Sequence, residues 1–127
     1  MSDPIFLSRE EVEIIHAASI HAFGGSLGIR DENVLESALA QPQQDFFYRQ
    51  ADRFEIAAAY AFHTAENQPF VDGNKRAALL SALNFLALNG ILADRPDDAL
   101  YDAMIALAEK RLDKPGLAAV LRRQLSP

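Results

Sequence analysis

The chain is organised around the stretch Gln68-Pro69-Phe70-Val71-Asp72-Gly73-Asn74-Lys75-Arg76, which stands between two alanine-rich, apolar runs. The run that follows it, residues 77–88, is apolar nearly all round, which is typical of a central helix. The stretch itself carries a carboxylate, a glycine, an asparagine and two cations. The sequence therefore predicts a polar turn between two core helices, with the composition of a phosphate-binding site.

Helix-start signals lie on the N-terminal side of this stretch. Ser8-Arg9-Glu10-Glu11 predicts a capping box for a first helix, and Gly24-Gly25 predicts its end. Asp31 predicts the start of a second helix that ends before Pro42, and Asp52 predicts the start of a third. Three helices should therefore precede the turn.

The apolar pattern predicts which side chains face the core. In the first helix the inward stripe is Val12, Ile15, Ser19 and Phe23, with Ile20 alongside. Residues 43–50 are irregular and predict a loop whose aromatic residues, Phe46, Phe47 and Tyr48, pack against the core.

The rest of the chain predicts three further helices. The central helix should run from about Asn74 to Asn89 and end at Gly90. A turn and cap at residues 94–97 should precede a fifth helix through Ala108, and Asp113 should start a short terminal helix. Strand alternation is absent, so the sequence predicts an all-α single domain, residues 1–127, of five to six helices with a central buried helix.

Composition narrows the classes of function. The 127 residues carry a net charge of −6, and an acidic chain is a poor candidate for nonspecific nucleic-acid binding. There is no cysteine, which excludes disulfides and thiolate metal sites and fits a reducing cytoplasm. We also expect no membrane span and no secretory signal.

Each residue of the turn has chemistry that suits a phosphorylated ligand. Gly73 lets the backbone approach a ligand closely, and Asn74 can cap the following helix, whose first amides attract anions. Lys75 and Arg76 add positive charge, and Asp72 is a hard oxygen ligand of the kind that shares Mg²⁺ with nucleotide phosphates. The alternative is an efficient turn and cap with both cations solvated.

The stretch resembles the signature loop of the Fic/Doc superfamily, in its death-on-curing (Doc) branch, which has the pattern H-x-F-x-[D/N]-x-N-K-R. Residues 23–31 and 35–39 resemble the N-terminal block of Doc-like proteins, and residues 85–90 resemble the end of their central helix. AMP-transferring Fic enzymes instead carry G-N-G-R and a further arginine. Lys75 stands where their second glycine would be, and this disfavours an AMP transferase.

The resemblance implies a helical toxin of a toxin–antitoxin pair that uses ATP to phosphorylate a threonine of elongation factor Tu. By position, Asn74, Lys75, Arg76 and the backbone at Gly73 would hold nucleotide phosphate. Asp72 would hold Mg²⁺ or orient the reacting groups, and Phe70 would anchor the loop in the core. The self-inhibitory pattern [S/T]-x-x-x-E of some Fic proteins is absent, so inhibition should come from an antitoxin whose disordered tail folds on the toxin.

One departure from the pattern bears on catalysis: Gln68 replaces the family's first motif residue, the histidine base. A carboxamide can orient a hydroxyl but cannot accept its proton, and losing a general base typically slows a reaction about 10²–10⁴-fold. Gln68 is either a natural weakening or a replacement made so that a toxic protein could be produced. A non-catalytic module that acts through its antitoxin is therefore the alternative function.

The other histidines are weaker candidates for chemistry. His63, in the preceding helix, is a hypothetical replacement base. His16 and His21 are five residues apart, which is a poor spacing for a metal pair, and we expect both to be packed or solvated.

Overall fold

The computed structural model describes residues 3–93 and 97–125. Within those ranges it contains six α-helices, which confirms the all-α prediction: α1 Arg9–Phe23, α2 Glu32–Arg49, α3 Arg53–Asn67, α4 Asn74–Leu88, α5 Asp98–Ala108 and α6 Lys114–Leu125. The only strand-like pairing in the described ranges is an isolated antiparallel bridge between Ile29 and Phe70. Of the turn and cap predicted at 94–97, residues 94–96 lie outside the described residues, and Asp97 caps α5.

Helices α3 and α4 form the centre of the bundle. Helix α3 packs against α2, α4, α5 and α6, while α4 packs against α1, α3 and α5. Their largest fully buried side chains are Ile56, Tyr60, Phe85 and Leu86. The polar turn between these two helices therefore stands at one end of the core on rigid supports.

Side chains close the N-termini of five helices. Each accepts a hydrogen bond from an amide of the first turn: Ser8 for α1, Asp31 for α2, Asp52 for α3, Asp97 for α5 and Asp113 for α6. The capping box predicted at Ser8 is confirmed, as are the starts predicted at Asp31, Asp52 and Asp113. Helix α4 differs, since its cap residue is Gly73 and no side chain caps it.

The predicted end of the second helix before Pro42 is wrong. Helix α2 continues to Arg49, with Pro42 inside it. An interior proline removes a backbone hydrogen bond and typically costs about 3 kcal/mol. Here Pro42 is fully buried, and Leu39 and Phe46 on either side also pack on the core. This burial offsets the lost hydrogen bond, and residues 43–49 of the predicted loop are helical instead.

Three aromatic residues predicted to pack inward are exposed. Phe23 is 65% exposed and lies under the guanidinium of Arg76, so it serves the polar turn and not the core. Phe47 and Tyr48 are 62% and 84% exposed, because the helical form of this segment turns only Phe46 towards the core. None of the described helices is long and apolar enough to cross a membrane.

Candidate functional site

The predicted site residues line one cleft of about 560 Å³. They are Gln68, Asp72, Gly73, Asn74, Lys75 and Arg76, all from the turn and first residues of α4. The opposite wall is formed by the end of α5 at Leu107 and Ala108, together with Lys110. Lys110 forms a salt bridge with Glu66 at the rim. The turn and α5 thus enclose a space of the size that holds a small molecule.

The N-terminus of α4 has backbone amides that are free to bind a ligand. Its first main-chain bond within the helix runs from Ala77 N to Gly73 O, so the amides of residues 74–76 have no helical partner. The first turn contains no acidic residue. Unpaired amides and the helix dipole at such a start favour anions. Local geometry therefore makes this helix start the strongest anion site of the cleft.

Gly73 suits this geometry in two ways. Its φ of 72° lies in the left-handed region, which favours glycine. A Cβ at this position would lie 2.9 Å from Ile20 Cδ1 and 3.1 Å from Arg76 Nη2. The turn therefore combines a backbone conformation that favours glycine with a close approach that any Cβ would crowd.

Lys75 and Arg76 supply full positive charge in different ways. Lys75 is exposed on the cleft. The half-buried Arg76 donates from Nη2 to Gly24 O at 2.7 Å, and its guanidinium lies 5.8 Å from the Phe23 ring centre. Its buried Nε has no hydrogen-bond partner among the described residues. A buried guanidinium N–H without a partner is costly, and an acceptor from a ligand would satisfy it.

Asn74 does not cap α4, so that prediction is wrong. Asn74 is the first residue of the helix, and its side chain reaches back to Phe70. Its Oδ1 accepts from Phe70 N and its Nδ2 donates to Phe70 O, each at 3.0 Å. The carboxamide therefore fixes the shape of the turn and leaves the helix start uncapped.

The Asp72 carboxylate is held by backbone amides. Its Oδ1 accepts from Gly73 N at 2.8 Å, and its Oδ2 accepts from Ser26 N at 3.1 Å. Each oxygen keeps a further lone pair, which is what a shared Mg²⁺ ligand needs. The same contacts tie the turn to the loop after α1.

His16 is the main contributor that sequence reasoning did not assign to the site. It is only 3% exposed, and its ring stacks on Phe70 with centroids 3.8 Å apart and planes 5° apart. Its Nε2 lies 2.8 Å from the carbonyl oxygen of Asp72, so Nε2 carries the proton and donates. The helical spacing from Val12 to His16 to Ile20 indicates burial, but only the fold shows the partner. Phe70, 1% exposed, is the core anchor that the resemblance implied.

Gln68 ends α3 in the left-handed conformation, with φ 49° and ψ 60°. Arg30, also unassigned by sequence reasoning, donates from Nε to Gln68 O at 2.7 Å and from Nη2 to Asn67 O at 2.8 Å. The amide of Arg30 donates to Pro69 O at 2.7 Å. The carbonyls of residues 67, 68 and 69 are therefore all anchored, and residue 68 lines the cleft.

His63 does not lie on the cleft. Its Nε2 is 3.1 Å from Lys114 Nζ, which also pairs with the buried carboxylate of Asp45. Burial, with the nearby charge of Lys114, lowers the pKa of His63 to about 4. The ring is neutral and engaged between α2, α3 and α6, so it is not placed to replace a base at residue 68.

Comparisons with known proteins agree with this architecture. Residues 6–86 match the model of the Fic/DOC family. The chain is 36% identical over 119 residues to the protein kinase doc of Escherichia phage P1, covering 92% of this chain and 93% of that protein. It is 40% identical over 120 residues to the toxin Doc of Mycolicibacterium smegmatis, covering 91% of this chain and 90% of that protein.

Proposed function

The chain belongs to the Fic/DOC family, in its Doc branch, and from that membership we propose that it is a Doc-type toxin of a toxin–antitoxin pair. The proposed reaction is phosphoryl transfer from ATP to a threonine hydroxyl of elongation factor Tu. The observation that carries the proposal is the uncapped start of α4, with Lys75 and Arg76 on the same cleft as residue 68.

The residues of the cleft fit a nucleotide. The free amides at the start of α4 and the unpartnered Nε of Arg76 are donors that phosphate oxygens would satisfy. Lys75 adds an exposed cation, and Asp72 would hold Mg²⁺. When bound, Mg²⁺ supplies charge neutralisation at the phosphates. Orientation of the nucleotide is thus assigned to the α4 start and its two cations.

Proton transfer is the step that this chain performs poorly. In the transfer, the bond from the γ-phosphorus to the ADP oxygen breaks and a bond to the threonine oxygen forms. The threonine proton must then leave, and Gln68 stands where the family has the base that takes it. The Gln68 side chain can accept a hydrogen bond from the hydroxyl but cannot take up its proton at neutral pH. We therefore expect weak or absent turnover.

Restoring the histidine tests the proposal directly. We expect Gln68→His to phosphorylate elongation factor Tu about 10²–10⁴-fold faster than the chain as it stands, measured with γ-labelled ATP. Lys75→Ala in the Gln68→His protein should raise the Kd for ATP about tenfold or more, and it serves as the binding control. If Gln68→His neither binds ATP nor transfers label, the kinase assignment is wrong.

Gln68 itself favours a second candidate, a non-catalytic module that acts by binding its antitoxin. The proposed partner in either case is an antitoxin with a disordered tail that orders on the toxin. The two candidates differ in one outcome. A catalytic toxin with Gln68→His should arrest growth when expressed without antitoxin, whereas a binding module should bind the antitoxin tightly and leave growth unchanged.

A further inference from the structure

Two glutamines end two helices of this molecule in the same backbone conformation. Gln50 follows α2 with φ 55° and ψ 39°, and Gln68 follows α3 with φ 49° and ψ 60°. Both are in the left-handed region, which non-glycine residues rarely adopt. Each backbone N–H is bonded to its own helix, Gln50 to Phe46 O at 2.9 Å and Gln68 to Thr64 O at 3.1 Å. The local structure of the two helix ends is therefore closely matched.

The two ends differ in the source of the nearby positive charge. Helix α2 has Arg49 in its last turn, whereas α3 has no basic residue there. The cation for α3 comes instead from Arg30, whose Nε and Nη2 each bond one of the successive carbonyls of Asn67 and Gln68. A planar fork of this kind fixes two acceptors at once, and its charge opposes the negative end of the helix dipole. Arg30 thus spans 38 residues of sequence to reach Gln68.

We propose that Arg30 is a positioning residue that fixes residue 68 at the cleft. The inference rests on the proposed function, in which residue 68 is the position of the base. With the carbonyls of residues 67, 68 and 69 anchored, the backbone at residue 68 is fixed, and with it the direction of its Cα–Cβ bond towards or away from the cleft. Proton transfer requires a heavy-atom approach of about 2.6–3.2 Å, so small displacements of this residue are costly.

Kinetics of the Gln68→His protein give the first test. We expect Arg30→Ala in that background to lower kcat about 10–100-fold while the KM for ATP changes less than about twofold. Arg30→Lys should lie between, because one ammonium cannot bond both carbonyls in the fork geometry. Arg123→Ala, which removes an exposed arginine from α6, is the matched charge control and should match the parent. A change confined to KM, or no change in kcat, would overturn the proposal.

Amide exchange gives a second test that needs no activity and uses the chain with Gln68 in place. Arg30→Ala should speed exchange of the Gln68 amide about tenfold or more and leave the Gln50 amide unchanged. Equal acceleration at both glutamines would show a general loss of stability, and unchanged exchange at Gln68 would show that Arg30 holds nothing. Either result overturns the positioning role. An inactive Gln68→His protein with selective exchange at Gln68 would count against the kinase reaction alone.

Discussion

Helices α3 and α4 adjoin in sequence, yet they begin in opposite ways. Helix α3 is closed by its own neighbours: Asp52 Oδ1 accepts from Glu55 N, and Glu55 Oε1 accepts from Asp52 N, each at 2.9 Å. Helix α4 begins at Gly73 with no side-chain cap. Its turn is held from outside by His16, while Arg76 returns a contact to Gly24. The start of α3, which only stabilises the fold, is capped by residues next to it in the chain. The start of α4, on the cleft, has no side-chain cap, and residues far away in the chain hold its turn.

The largest expected effect comes from adding a side chain at Gly73, at the start of α4. Gly73→Ala should destabilise the protein by about 3 kcal/mol, because the left-handed φ is strained for alanine and the Cβ meets Ile20 and Arg76. Nucleotide affinity should fall with it. Gly90→Ala is the matched control, with φ at 90° and nothing within 4 Å of the new Cβ, so only strain of about 1 kcal/mol applies. If urea unfolding shows the same loss of unfolding free energy for Gly73→Ala and Gly90→Ala, the close contacts at Gly73 are unimportant.

Removing the hydrogen bond from His16 to the turn should give the next largest effect. His16→Phe keeps a stacked ring on Phe70 but takes away the donor to the carbonyl of Asp72. We expect a loss of about 2 kcal/mol in unfolding free energy and weaker nucleotide binding. His16→Gln, which keeps a donor and loses the stack, should bind nucleotide better than His16→Phe. The reverse order would show that stacking, and not the hydrogen bond, shapes the turn.

Acid should act on α3 through His63, which lies in the C-terminal half of the helix. The pKa of His63 is lowered to about 4 in the folded protein, against 6.5 ordinarily, so between these values the unfolded chain binds a proton that the folded chain does not. Stability should therefore fall as pH drops from 6.5 to 4. Because the ring is partly exposed, solvent screening reduces the effect, and we expect this group to contribute about 1.5 kcal/mol. His63→Gln should flatten the profile in that window, and an unchanged slope would refute the assignment.

The smallest effect should come from changing the capped start of α3. Asp52→Ala removes the cap and should cost about 1 kcal/mol in thermal unfolding while nucleotide affinity stays unchanged. Asp52→Asn keeps an acceptor for Glu55 N but weakens the pair with Arg122, so it separates capping from charge. A change in nucleotide affinity in either variant would break the distinction between the two helix starts.

Sequence reasoning succeeded where the signal is local. The capping boxes and acidic caps lie within four residues of the amides they bind, so the starts of α1, α2 and α3 could be predicted. The cleft residues of the turn, 68 and 72–76, were found together because they are close in the chain, whereas the wall at the end of α5 was not found. Asn74 was misassigned, since an asparagine at a helix start can cap forwards or reach back, and the sequence does not distinguish these.

The other errors and omissions concern tertiary contacts. Pro42 stays within α2 because burial offsets its missing N–H, and a helix boundary drawn from proline alone ignores that contribution. Phe23 fits the apolar stripe of α1 but lies under Arg76, a contact made between residues far apart in sequence. His16 and Arg30 donate to backbone oxygens. Every residue type has a backbone carbonyl, so the sequence does not indicate which one accepts.

The long-range hydrogen bonds that hold the turn also set an order of folding. The hydrogen bonds from Arg30 to Gln68 and from His16 to Asp72 join residues 38 and 56 positions apart, whereas α3 and α4 are joined by a short turn. Short closures form first and long ones later, so we expect the helical core to precede the cleft during folding. Pulse-labelled exchange should protect Tyr60, within α3, before Val71, whose amide bonds Gly28 O. Partly folded molecules would then be helical but unable to hold nucleotide, and simultaneous protection would refute this order.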